Sequence, residues 1–291
     1  MTKNPLAEIF GFPPDNLSPE AERYRKNRLC PYNNKVPSCT KDKANDPLGV
    51  CSVYEGNDIA ITCPIRFRQN WLVAEDAAAF FFPENTAWTS LTEIRLNDKY
   101  GQSAGNIDVV LVAYNDRGHI IDFGALEIQA VYISGNVRRP FEYYMQNIAN
   151  SGNMEWTGQV NSPRPDYLSS SRKRLAPQLI YKGGILKTWN KKQAVALHKG
   201  FYNRLPKLPE VKREQADIAW LIYDMQLEPE TNRYQLIRHK TVYTLFQQAL
   251  EKITIPEAGT VDNFMSHLQE KLDEKLDNDN SIDVPSLLDL L

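Results

Sequence analysis

Apolar and polar positions alternate along this chain with two distinct periods, and the change of period marks out the elements. Residues 107–133 read as a strand hairpin. Two apolar runs, Ile107-Asp108-Val-Val-Leu-Val-Ala113 and Gly124-Ala-Leu-Glu127-Ile-Gln129-Ala-Val-Tyr132, flank the turn-forming Asn115-Asp-Arg-Gly118. Residues 217–227 are nearly continuous apolar sequence, as in a central strand. After a turn at 228–232, residues 234–242 return as another strand. Helical spacing predicts helices over 71–82 (stopped by Pro83), 140–149 (Phe141, Tyr144, Met145 and Ile148 on one stripe), 188–204, 243–253 and 262–276. Ser18 followed by Pro19 predicts a helix start over 18–29. Ser90-Leu-Thr-Glu93, with Gly101 beyond, has the form of a capping box and predicts a helix over 89–99. Residues 1–20, with four prolines, read as an irregular arm, 30–65 as loops with short strands, and 161–187 as a Ser- and Pro-rich insertion. No internal repeat is present. Together these elements predict an α/β fold, a mixed sheet flanked by helices.

The chemistry concentrates on the hairpin. Side chains two apart on a strand share a face, so Glu127 and Gln129 point the same way from a strand whose neighbours are apolar. A buried carboxylate needs a partner or a metal ion. If the two strands pair, Asp108 comes near Glu127. Two carboxylates suit Mg²⁺, which takes hard oxygen ligands and keeps several waters. The Ile128 carbonyl is a possible third ligand, and the Gln129 amide could orient water. Glu93 has two readings, a further cation ligand or the last member of its capping box. Asp108 could equally be an acid facing solvent from a strand edge.

Charge and composition refine the picture. The chain has 291 residues, net charge −2 and 42% hydrophobic residues, enough for a packed core and with no global basic field. Residues 160–213, however, carry 13 Lys and Arg against Asp166 and Glu210, whereas residues 250–291 carry ten acids against three lysines. The basic stretch, with Arg164, Arg172, Lys173 and Arg174, could position DNA backbone or read bases, as could Arg138 and Arg139; ordinary solvated surface is the alternative. No apolar run reaches the roughly 20 residues of a membrane span, so a soluble intracellular protein is expected. All four cysteines, Cys30, Cys39, Cys51 and Cys63, fall in the first quarter. Clustered thiols in a reducing compartment point to zinc or iron more than to disulfides. Their gaps of 8, 11 and 11 residues form no CxxC knuckle, and free thiols remain the other reading. The four histidines are scattered and read as surface or packing residues.

Four stretches together carry a family likeness. They are the cysteine cluster with Gly49-Val-Cys51 and Cys63-Pro64, the Asp108 strand, Leu126-Glu127-Ile-Gln129, and the run from Ala219 through Met225 and Glu228 to Thr231. Over roughly residues 28–245 the chain resembles the NotI-type restriction endonucleases, a branch of the PD-(D/E)xK nuclease superfamily. The resemblance implies a Mg²⁺-dependent type II endonuclease, a homodimer cutting double-stranded DNA at a GC-rich, GGCC-centred palindrome to leave 5′-phosphates. It also implies a restriction–modification setting in the bacterial cytoplasm, with a DNA methyltransferase as genetic partner. Carried over, the catalytic set is Glu93, Asp108, Glu127 and Gln129, and an iron site is Cys30, Cys39, Cys51 and Cys63. Two positions depart from the superfamily pattern: Gln129 replaces its lysine, as in the NotI branch, and Ile107 stands where its proline would be. The expected layout is an arm and cysteine module over 1–70, a nuclease core over 71–260 and an acidic segment over 261–291. The rival functions are a non-catalytic, metal-stabilised DNA-binding protein and a structure- or lesion-directed nuclease.

Overall fold

The computed structural model describes residues 4–43 and 45–278. Residues up to Thr254 form one compact unit, and the segment from Ile255 onward forms a second. In the first unit, strands β1 (Leu6–Ile9), β2 (Asp42–Lys43), β3 (Asp46–Pro47), β4 (Val50–Glu55) and β5 (Asp58–Ile61) precede the main sheet. β1, β4 and β5 make an antiparallel three-stranded sheet in the order β1-β4-β5. The proline-rich arm is therefore not irregular: Leu6, Ile9, Phe10 and Phe12 are buried, and β1 is part of the core. The helix Pro19–Lys26 begins as expected, with Ser18 accepting the Ala21 N–H.

The main sheet has six strands in the order β13-β12-β11-β8-β7-β6. They are β6 (Trp88–Asn97), β7 (Ser103–Tyr114), β8 (Ile120–Gln129), β11 (Gln193–His198), β12 (Ile218–Glu228) and β13 (Arg233–Thr244). A small ribbon of β9 (Tyr132–Ser134) and β10 (Arg164–Asp166) lies between β8 and β11 in the chain. β11 runs parallel to both of its neighbours, while the other pairs are antiparallel, so the sheet is mixed. One face packs on the helix Leu72–Phe81, through Ala77, Ala78 and Phe81 against Leu111, Leu126, Ala196 and Leu221. On the other, Val195, Leu197, Trp220 and Ile222 pack against Leu175, Leu179 and Phe246.

Three local expectations are corrected. The residues expected as a helix over 89–99 lie mostly in strand β6; exposure alternates from Trp88 to Glu93 against β7, and β-branched Thr89, Thr92 and Ile94 suit a strand. The helix expected over 188–204 is displaced by β11, whose six residues are all buried. Ala and Leu favour helices in isolation, but burial on both faces of the sheet decides otherwise. A helix lies instead over 167–188, almost wholly within the Ser- and Pro-rich stretch. It runs as α-helix at Tyr167–Ser170, Ala176–Gln178 and Gly184–Thr188, with π-helical turns at Ser171–Leu175 and Leu179–Gly183. The wide turns flank Pro177, which has no N–H to donate to the carbonyl four residues back. Gly183 fits because a Cβ there would stand 2.6 Å from the Phe246 ring.

In the second unit the helix Val261–Asn278 leaves Phe264, Met265, Leu268, Leu272 and Leu276 exposed. The acidic segment beyond residue 278 lies outside the described residues. Among the described residues no helix is long and apolar enough to cross a membrane.

A buried ion pair ties the arm to the sheet. Glu8 and Arg66 side chains are both fully buried, 3.0 Å apart. Glu8 also accepts from Ser52 Oγ, and Arg66 donates to the Tyr234 carbonyl and lies 4.3 Å from the Tyr32 ring centre. Removing one partner strands the other charge, so Glu8→Ala should lose about 3–5 kcal/mol in urea unfolding. Loss of the exposed Arg28–Asp46 pair should cost less than about 1 kcal/mol. Equal losses would contradict this.

Candidate active site

The β7–β8 register sets Val109 opposite Leu126, and one step beyond it Asp108 faces Glu127. Asp108 Oδ2 accepts the main-chain N–H of Ile128 at 2.8 Å, so a carboxylate closes the ladder where the next backbone bond would fall. Burial raises the Asp108 pKa and Glu93 adds to it, while the Ile128 N–H and Lys182 oppose the shift.

Glu127 lies in register with Val195 of β11, and Gln129 with Leu197. Both are therefore on the face covered by the 167–188 helix, and both are buried. Glu127 Oε2 accepts from Lys182 Nζ at 2.7 Å. Its other oxygen, Oε1, is fully buried and meets no N–H or hydroxyl donor among the described residues; the contact open to it is a proton shared with Asp108. Burial first, and Asp108 second, push the Glu127 carboxyl up to about 8 against the pull of Lys182. Gln129 Nε2 donates to Gln178 Oε1. Two side chains two apart on a strand thus meet two side chains four apart on a helix.

Glu93 belongs to β6 and is exposed. Thr92 pairs with Val109 and Ile94 with Ile107, which leaves Glu93 across from Asp108 with a φ of 58°. The capping-box reading falls with the helix. A non-glycine residue in the left-handed region within a strand is strained, and such strain collects at functional sites.

Lys182 was missed in the sequence. It is buried and also donates to the Asn106 carbonyl at 2.8 Å. A signal was present: Leu175, Leu179, Lys182 and Leu186 fall on one helical stripe, so a lysine occupies an apolar position. Pro177 and the Gly183-Gly184 pair hid the helix that carries it.

The basic candidates are spread. Arg138 is held by Asp42 at 2.5 Å and Asp46 at 2.7 Å. Arg139 lies over the Trp156 ring, and Arg164 donates to Ser134 Oγ. Arg172, Lys173 and Arg174 are exposed on the first π-helical turn, with Arg174 over the Tyr132 ring. Lys41, Tyr132, Arg138 and Arg174 share the walls of an open cleft of about 730 Å³.

The four cysteines are free thiols; Cys39, Cys51 and Cys63 are buried and Cys30 half-buried. They occupy one neighbourhood. Burial pushes the Cys30 thiol up to about 11, with Cys63 and Cys39 adding to the shift, and Cys51 is raised by burial, Glu8, Cys63 and Cys30. Among the described residues, no group of three or more His, Cys, Asp or Glu side chains is arranged to hold a metal ion. The thiols match a soft metal in donor type, but not in their placement here. For the carboxylates, Glu127 Oε1 beside Asp108, with no N–H or hydroxyl donor, is the feature that fits a hard cation.

The family model described as Restriction endonuclease NotI matches residues 15–236, a stretch that includes every one of these side chains. The protein is therefore a type II site-specific deoxyribonuclease. It belongs to the NotI restriction endonuclease family. No curated protein matches the chain.

The raised Glu127 carboxyl makes a pH prediction. Its folded value of about 8 exceeds the ordinary 4.5, so the folded state holds this proton more tightly than the unfolded state does. The resulting stability is complete below pH 4.5 and is lost as pH rises through 8. In EDTA, the wild-type melting temperature should fall between pH 6 and pH 9, and Glu127→Gln should flatten that fall. Parallel pH profiles for the two proteins would contradict the assignment.

Proposed function

We propose that the enzyme hydrolyses both strands of duplex DNA at Asp108 and Glu127, with these two carboxylates holding Mg²⁺ in a PD-(D/E)xK-type site. The observation that carries the reading is the pair of adjacent buried carboxyls, Asp108 and Glu127, with no N–H or hydroxyl donor on Glu127 Oε1. Bound there, the cation would neutralise charge building on the phosphate and acidify water. The chain's own groups do the rest. Asp108 is fixed by the Ile128 N–H, and the Ile128 carbonyl is a further oxygen at the same strand end. Gln129, released from Gln178, orients the attacking water. Glu93, facing Asp108 from β6, adds negative charge for a second cation.

The proposed substrate is a GC-rich palindrome centred on GGCC, cut by a homodimer to leave 5′-phosphates; a two-fold site matches a two-fold protein. Arg139, Arg164, Arg172, Lys173 and Arg174 supply phosphate and base contacts. Arg138 joins them by exchanging Asp42 and Asp46 for phosphate. In this reading a DNA methyltransferase protects the host genome in the bacterial cytoplasm. Asp108→Ala and Glu127→Ala should each lower plasmid cleavage by about a thousandfold or more, while a gel-shift assay in Ca²⁺ still shows specific binding. Normal cutting by either variant would sink the site assignment.

The four-cysteine module over 1–70 is proposed to close on a structural iron or zinc ion, which would draw Cys30, Cys39, Cys51 and Cys63, already neighbours in the fold, into ligating range. Elemental analysis of the purified protein should find the metal, and Cys51→Ser should lose both metal and soluble protein. Iron–thiolate absorbs visible light and zinc–thiolate does not, which separates the two. A stable, active, metal-free Cys51→Ser protein would refute the role.

A further inference from the structure

We infer that Lys182 is a resident counter-cation of the Asp108–Glu127 site, one that an incoming divalent cation must displace from Glu127. The inference rests on the two-carboxylate reading above. Its ammonium is 2.7 Å from Glu127 Oε2, with side chains 4% and 1% exposed. Burying such a pair gains little over apolar residues of the same volume. Yet this stripe of the 167–188 helix is otherwise Leu175, Leu179 and Leu186, each essentially buried. A fourth leucine would fit the pattern, so the charge answers to the carboxylates.

The backbone is arranged to present it. Lys182 lies in the π-helical turn Leu179–Gly183, and such turns gather at functional sites. The ammonium has a second acceptor, the Asn106 carbonyl at 2.8 Å, and a flexible four-carbon stem. It can therefore give up Glu127 and keep a hydrogen bond. A dication and an ammonium on one carboxylate repel each other strongly in a site sheltered from water. Lys182 thus steadies Glu127 in the unloaded enzyme and weakens cation binding. It is a positioning residue.

Calorimetric titration of CaCl₂ into the full-length protein without DNA tests this. Lys182→Gln, which removes the charge and keeps a polar end, should bind Ca²⁺ about tenfold more tightly. Lys182→Arg should behave as wild type, and Asp108→Ala should lose binding. Unchanged or weaker Ca²⁺ affinity in Lys182→Gln, with normal wild-type binding, overturns the inference alone. Absence of wild-type binding overturns the carboxylate site and the inference with it. Amine labelling of wild type, read by mass spectrometry, needs no variant. Lys182 should become more reactive on adding Ca²⁺, and constant reactivity would count against displacement.

Discussion

Two carboxyl groups cannot both ionise side by side under a helix without something positive between them, and the candidate site is organised around that constraint. Asp108 and Glu127 meet because β7 and β8 pair in one register, and a one-residue slip would leave them on opposite faces of the sheet. The sheet then takes two steps to make the juxtaposition tolerable. The Ile128 N–H is given to Asp108 in place of a backbone partner, and Lys182 is brought to Glu127 from the crossover helix. One Glu127 oxygen is still left without a donor, and in the proposed reading it is the oxygen that takes the cation.

Topology explains how a helix comes to roof the site. β8 and β11 are parallel neighbours, so the chain must cross over between them, and the crossover carries the 167–188 helix. Gln129 and Glu127 face it with strand spacing, and Gln178 and Lys182 answer with helical spacing. The exposed Arg172, Lys173 and Arg174 lie earlier on the same helix. A single element therefore joins the basic surface to the carboxylates, and a shift of that helix would be felt at both.

The sequence disclosed this centre unevenly. The juxtaposition of Asp108 with Glu127 and Gln129, though not their role, was legible because charge on an apolar, alternating strand is rare and the Asn115–Gly118 turn fixes the pairing. The β12–β13 pair was legible from its long apolar run and the turn at 228–232. Glu93 was given the right neighbourhood on the wrong element: a capping-box pattern arises by chance, and β-branched neighbours outweighed it. β11 was hidden because a strand buried on both faces lacks alternation, and its Ala and Leu residues mimic a helix. Lys182 was hidden by Pro177 and two glycines, which local propensity reads as breaks. The π-helical turns that absorb them exist only because the helix is packed against the sheet.

Cleavage in the proposed reading depends on a cation held between Asp108 and Glu127. Crystals grown with duplex DNA and Mn²⁺ would locate it by anomalous scattering. A peak bridging the two carboxylates, with Glu127 Oε1 among its ligands, is the expected result. Manganese bound to the DNA with both carboxylates still turned toward Lys182 and Ile128 would contradict it.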